Sequence, residues 1–430
     1  MQVLQSIASY IAGIFQSPAV FLALIALVGL LIQKKPFNDV VKGTFKTMLG
    51  CFVLLIGVDV MMDSIIILAS AFGSIVNTTG GELADYGAFL GSHGMEIGMV
   101  MVIGFILNLL IARFTPLKTV YLTGHMMMFF AMLWLGMSTG FGLTGVPRMV
   151  FAIVGYLLSI TITPQLLKKD MIHLTGKFEF SVGHSGTIWC LLAARVGQLA
   201  KKMSKKESPS MEQLKFPKQL DFLRDTTLTT GILMVIVYTI VALILPAETR
   251  TAIYGNDVFT TVLTKGMRFG AGILILLQGC RLMMSELVPA FTGISKKLVP
   301  GAVPALDIPM IYPYGPTSLM IGFLIAMVSS LVAMFAINLS GLSAFVLVPI
   351  TAAVYFDVSS GSVFANAYGG RRGVILWGIV GGILIMVVTA LAMPLVATTV
   401  GTFVQQQGFT ECSVWIIIVG YIARLFGLGG

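Results

Sequence analysis

The sequence predicts an all-α polytopic membrane protein with about eleven transmembrane helices, two re-entrant hairpins and an internal inverted repeat. Three observations carry that prediction. Of the 430 residues, 57% are hydrophobic and 10% charged, and the mean hydropathy is +0.95, whereas a soluble domain is roughly 25% charged. Long apolar runs alternate with short basic loops, the pattern of a chain that crosses a bilayer repeatedly with its positive loops on the cytoplasmic side. Two stretches at membrane depth are broken by glycine or proline around a lone polar residue, and such backbone must be surrounded by protein or a water-filled cavity.

The remaining composition fits this class. The 47 glycines and 26 methionines suit helices that pack closely where lipid supplies no hydrophobic drive. A formal net charge of +9 would suggest a nucleic-acid partner in a soluble protein. Here the basic residues sit in short loops, so the charge encodes topology and nucleic-acid binding is not expected. Cys51, Cys190, Cys280 and Cys412 have neither paired nor metal-ligand spacing and read as buried free thiols. No charged residue precedes the first apolar run, so a cleaved secretory signal is not expected.

Residues 18–32 form the first strong apolar run, with 7–15 available to lengthen it, and Lys34, Lys35, Lys42 and Lys46 mark its cytoplasmic end. A second span, 47–68, returns outward to a polar stretch bearing Glu82, Asp85 and Glu96. Spans at 95–112 and 120–136 follow, and Arg148 opens a fifth that closes at Lys168 and Lys169. The alternation then breaks, because 178–199 is apolar yet basic on both flanks and begins FEFSVGHSG, which suggests a re-entrant hairpin. The longest hydrophilic stretch, 201–224, has seven basic residues against three acidic ones and is read as a cytoplasmic loop. Spans at 227–245 and 261–284 lead to Lys296 and Lys297. The second broken segment, LVPGAVPALDIPMIYPYGP over 298–316, holds the lone carboxylate Asp307. Apolar stretches at 317–337 and 342–355, a polar interruption at 356–372, and spans at 374–396 and 413–428 complete the chain.

A repeat is visible at an offset of 222 residues, with Lys46, Gly50, Leu54, Leu55, Gly57, Met61 and Met62 matching Arg268, Gly272, Leu276, Leu277, Gly279, Met283 and Met284. Each copy precedes a broken-helix region, as two halves around a pseudo-two-fold axis require. Asp59 and Arg281 occupy equivalent places. Charges inside spans are costly and usually paired, so these two are expected to approach each other in one conformational state.

His125 in LTGHMMMFF and His184 in FSVGHSG each follow a glycine at membrane depth. Imidazole both donates and accepts hydrogen bonds, and with Asp307 these histidines suggest a polar pocket for a polyhydroxylated ligand. No pair has local metal-ligand spacing such as HExxH, so no metal site is expected, and there is no nucleophile motif or P-loop. These residues alone leave open a proton- or sodium-coupled secondary transporter that uses Asp307 or Asp59, and an intramembrane enzyme.

The segments KGTFKTMLG, LTGHMMMF, FSVGHSG, QGCRLMMSELVPAFTGISKKLVPGAVPALD and GSVFANAYGGRRG resemble, in order and spacing, the ascorbate-type IIC permeases of the bacterial phosphotransferase system, from about residue 42 to 370. The resemblance implies a homodimer in the bacterial inner membrane with eleven spans and two re-entrant hairpins. Residues 1–75 and 226–297 would form the repeat-paired scaffold that carries the dimer contact. Residues 76–225 and 298–430 would form the mobile core that holds the sugar. It also implies that a phosphorylated IIB partner, supplied by a IIA component, phosphorylates the sugar during uptake. The chain would then be a transport subunit with no catalytic residue and no cofactor of its own.

Ligand-contacting positions retained from the family look like Gly57, Tyr86, His125, His184 and Asp307. Four departures stand beside them: Val58 where the family has Ser, Asp85 for Thr, Phe129 for Gln and Ser185 for Gln. Lost amide and hydroxyl partners, together with a carboxylate at Asp85, imply that anionic ascorbate is not the best ligand and that a neutral pentose, hexose or polyol is.

Overall fold

The structure, a computed structural model, describes residues 17–75, 81–203, 206–214, 226–348, 350–408, 410–425 and 427. The upstream stretch 7–15 and, from the basic loop, residues 204–205 and 215–225 lie outside them. Helices α1 (Pro18–Ile32), α2 (Phe37–Ile75) and α3 (Tyr86–Phe114) lead to strand β1 (Thr119–Tyr121). Helices α4 (Gly124–Gly140), α5 (Gly145–Leu166) and α6 (Lys168–Thr175) precede β2 (Ser181–Val182) and α7 (Thr187–Lys202). After the loop come α8 (Thr226–Ile244), α9 (Ala247–Tyr254), α10 (Val258–Lys297), β3 (Val303–Leu306) and a 3₁₀ segment, Ile308–Tyr314. Helix α11 (Pro316–Ser340) is followed by α12 (Thr351–Val396), which includes π-helical turns over Val354–Ser359, then by α13 (Gly401–Gln407) and α14 (Thr410–Leu425).

Among the described residues, six helical stretches are long and apolar enough to cross a membrane, so this is a multi-pass membrane protein. They are Phe37–Met61 within α2, α3, α5, α10, α11 and α12. Helices α2 and α10 have 39 and 40 residues, a length of about 60 Å against a hydrocarbon core of about 30 Å. The helices therefore continue well beyond the expected spans 47–68 and 261–284. Lys42, Lys46, Lys296 and Lys297 read as loop residues, yet they continue these helices, and α10 runs on through Pro289 to reach the last two. The third span likewise starts at Tyr86 rather than near residue 95, capped by Asp85, whose carboxylate accepts from the Ala88 N–H at 2.8 Å.

The repeat appears as an antiparallel crossing of α2 and α10. A Cβ built on Gly57 would lie 2.8 Å from the Gly272 carbonyl oxygen, and one on Gly279 would lie 2.9 Å from the Gly50 carbonyl oxygen. The repeat partner of Gly57 is Gly279 and that of Gly50 is Gly272, so each glycine meets its counterpart's partner, as a two-fold requires. Ion pairs flank the crossing on each side: Lys46 meets Glu286 at 3.2 Å, and its repeat mate Arg268 meets Asp63, one residue before the position equivalent to Glu286, at 3.4 Å. Asp59 and Arg281, expected to approach, are both exposed and form no ion pair with each other. In this register Asp59 lies level with Gly272 and Arg281 with Gly50, about two and a half helical turns apart. A two-fold that inverts the repeat sends equivalent residues to opposite depths, which is why equivalence did not mean proximity.

The three strands are an addition to the expected all-helical fold. They form one parallel sheet in the order β1-β3-β2, in register Thr119 to Val303, Tyr121 to Ala305 and Ser181 to Ala305. Strands of two to four residues are too short to show a period in the sequence. Their polar backbone is tolerated because the sheet is buried within the helices.

Two further features fix the surroundings. Gly370, at φ +56, kinks α12, and Arg371 and Arg372 beyond it donate to the carbonyls of Gln213 (2.9 Å) and Lys206 (2.8 Å). Glu212 accepts from the Thr317 and Ser318 N–H groups at the start of α11, at 3.0 and 2.8 Å, where the helix dipole favours negative charge. All four cysteines are buried and free, as the sequence led one to expect.

Candidate functional site

Each strand of the small sheet delivers one ionisable side chain just past its C-terminal end. Strand β1 is followed by Leu122, Thr123, Gly124 and His125; β2 by Gly183 and His184; β3 directly by Asp307. The sheet hydrogen bonds extend to this edge, with Leu122 N–H donating to the Ala305 carbonyl (2.9 Å) and Gly183 N–H to that of Leu306 (2.7 Å). Gly183 is needed there, since a Cβ would stand 2.8 Å from the Ala305 oxygen. Three stretches far apart in sequence thus converge through backbone pairing.

Asp307 lies between the two imidazoles. Its Oδ2 is 3.6 Å from His125 Nε2, and its Oδ1 is 3.8 Å from His184 Nε2. Oδ1 also accepts the Ile308 N–H at 2.8 Å, which pins the carboxylate at the start of the 3₁₀ segment. Both nitrogen–oxygen gaps exceed a direct hydrogen bond and leave places for a hydroxyl that bridges donor and acceptor. The same three groups each offer one ligand atom, all within 4.8 Å of one another, so a cation could also be held. That arrangement had no sequence signature because its members come from three separate strands.

Behind His184 lies a buried layer that the sequence reading missed. Its Nδ1 is 3.1 Å from Asp357 Oδ1 and 3.0 Å from the Gly186 nitrogen. Asp357 in turn accepts from Ser185 Oγ (3.0 Å) and Thr410 Oγ1 (2.6 Å), and the Glu411 N–H donates to the Ser185 carbonyl at 2.9 Å. The Glu411 carboxylate accepts from Thr163 Oγ1 at 2.7 Å. Asp357 and Glu411 are acids in apolar surroundings, and that isolation was the signal available in the sequence.

The other expected residues are placed differently. Gly57 is buried at the α2–α10 crossing, and Val58 beside it is half-buried. Asp85 is exposed and caps α3. Tyr86 packs edge-on against Phe403 at 5.1 Å between ring centroids, and Phe129 lies 4.8 Å from the same ring and 6.4 Å from His125. Ser185 is buried with its hydroxyl committed to Asp357. The structure therefore brings His125, His184 and Asp307 together, sets Ser185 behind them, and groups Tyr86 and Phe129 around Phe403.

In front of Asp307 is a cleft of about 340 Å³ including its mouth. Its far wall is Leu22 of α1, Cys51, Leu54 and Leu55 of α2, and Met283 of α10. The apolar wall thus faces His125 and Asp307 across this cleft.

The sequence model of the family described as EIIC-GAT, PTS system sugar-specific permease component, matches residues 13–411. The ascorbate-specific PTS system EIIC component of Mycoplasma pneumoniae (strain ATCC 29342 / M129 / Subtype 1) is 25% identical over 443 aligned positions, covering 88% of this chain. The chain spans 66% of that relative's length.

Proposed function

Because the chain belongs to the EIIC-GAT family, the sugar-specific permease component of the phosphotransferase system, we propose that it is the IIC subunit that carries a neutral pentose, hexose or polyol across the bacterial inner membrane. A phosphorylated IIB partner, replenished by IIA, phosphorylates the sugar as it arrives, and this chain supplies passage and positioning. The observation that carries the reading is Asp307 flanked by His125 and His184 Nε2 at 3.6 and 3.8 Å. Hydroxyls suit such a site because each can donate to the carboxylate while accepting from an imidazole.

The proposal extends to architecture. Eleven spans with two re-entrant hairpins account for 178–199 and 298–316, each of which enters as a short strand, turns at its ligand residue and leaves as a helix. Residues 1–75 with 226–297 form the dimerising scaffold, supported by the mutual packing of α1, α2, α8 and α10, and residues 76–225 with 298–430 form the moving core. The cleft lies on the seam between them, so its opening requires the core to shift against Leu54, Leu55 and Met283. The basic stretch 201–224 faces the cytoplasm and the IIB partner.

Ascorbate, the ligand named for the Mycoplasma relative, is proposed not to be the best substrate. Ser185 spends its hydroxyl on Asp357 and Phe129 packs on Phe403, so neither supplies the polar partner lost with the family's Gln residues. Vesicles with and without phosphorylated IIB, offered a radiolabelled panel of sugars, polyols and ascorbate, test this. Uptake of a neutral sugar that depends on IIB is expected. Ascorbate uptake that no neutral sugar displaces overturns the substrate class, and family membership already disfavours the proton- or sodium-coupled carrier.

A further inference from the structure

We propose that Asp357 is a positioning residue for sugar recognition, holding His184 so that its Nε2 presents a hydrogen to the ligand. The inference rests on the sugar-site reading above and concerns a residue outside the cleft. Asp357 is 1% exposed, and among the described residues its ion-pair partner is His184, with no lysine or arginine reaching it. It is delivered by the π-helical turns Val354–Ser359, an irregularity found mostly at functional sites. Gly186 makes room for it, since a Cβ there would lie 2.9 Å from Asp357 Oδ1.

The ring of His184 is closed on one side and open on the other. Nδ1 is enclosed by Asp357 Oδ1 at 3.1 Å, the Gly186 N–H at 3.0 Å and Ser185 Oγ at 3.3 Å. Nε2 faces Asp307 Oδ1 at 3.8 Å. A bare lone pair on Nε2 would point at a carboxylate oxygen, whereas an N–H there points at an acceptor. With a carboxylate opposite each ring nitrogen, the arrangement that avoids repulsion on both sides carries a hydrogen on each, Nδ1–H toward Asp357 and Nε2–H toward Asp307, so that the charge of Asp357 keeps a hydrogen on Nε2. His125, on the other oxygen of Asp307, and Glu411, held by Thr163, are further ionisable groups around this line.

The consequence for substrate is specific. A group between His184 and Asp307 must accept from Nε2–H and donate to Asp307. A hydroxyl of the ligand does both. Thr410 Oγ1, at 2.6 Å from Asp357 Oδ2, steadies the carboxylate from α14.

The test uses full-length protein in nanodiscs labelled with ¹⁵N-histidine, in which only four histidines contribute and His184→Gln assigns the relevant signal. Wild type is expected to show a hydrogen on His184 Nε2. Asp357→Asn is expected to alter that signature and weaken sugar binding about tenfold or more, the scale of one charge-assisted hydrogen bond. Thr410→Val, which leaves both acids in place, is expected to move both readouts the same way by less, and stands in if Asp357→Asn does not fold. An unchanged His184 spectrum with wild-type affinity in these variants overturns the role of Asp357. Indifference of wild-type sugar binding to His184→Gln and Asp307→Asn instead overturns the site reading on which it rests.

Discussion

Replacing Asp307 by Asn isolates the charge at the centre of the site. The amide keeps one oxygen, enough to accept the Ile308 N–H now made at 2.8 Å, so the 3₁₀ segment and the strand before it are expected to stay in place. Lost is one of two acceptors, together with the negative charge that strengthens both. The new NH₂ faces an imidazole nitrogen across a gap of 3.6 to 3.8 Å, where a ligand hydroxyl can no longer donate. Charge-assisted hydrogen bonds contribute about 1.5–3 kcal/mol each, so losing one weakens binding about 10- to 150-fold. Calorimetry of the purified protein with its preferred sugar measures this, and thermal unfolding in the same detergent checks the fold. Binding within twofold of wild type, with unfolding unchanged, would refute the assignment of Asp307 to the ligand.

Other expectations follow from the packing. Gly279→Ala should lower thermal stability by about 1–3 kcal/mol through overpacking of the α2–α10 crossing, where its Cβ would press on Leu54 Cα at 2.6 Å; stability equal to wild type would argue against that crossing. The pair Lys46–Glu286 has side chains 40% and 26% exposed, so a double-mutant cycle with alanine should give a coupling of at most about 1 kcal/mol, and a larger value would mean that the pair is covered in the assembled protein. Neutralising Lys201, Lys202 and Lys206 should slow phosphorylation-coupled uptake more at low salt than at high salt, and equal slowing at both would remove electrostatic steering of the IIB partner. Ser185→Gln should fail to increase ascorbate binding, because the longer amide leaves the Asp357 layer incomplete; a clear gain would show that this position reaches the ligand directly.

What the sequence determined by itself was set by local composition and pairwise matching. Apolar run length marked the membrane-length helices α2, α3, α5, α10, α11 and α12, and the 222-residue offset from Lys46 to Arg268 marked the repeat. Glycine or proline around a lone polar group flagged 178–199 and 298–316 as special, and so pointed to His184 and Asp307 before any geometry was known. The ends of α2 and α10 were not legible, since a lysine on a helix that emerges from the membrane looks the same in sequence as a lysine in a loop.

Only tertiary structure could decide which polar groups share one site. His125, His184 and Asp307 meet because three strands of two to four residues pair in parallel, and hydrogen bonds between segments more than a hundred residues apart leave no periodicity in any of them. Asp357 takes its place behind His184 through π-helical turns that shift the register of α12, and Ser185 turns toward that acid instead of the cleft. Asp59 and Arg281 were equivalent in sequence yet lie at different depths, because the repeat is inverted and equivalence under a two-fold is a relation between environments rather than a contact.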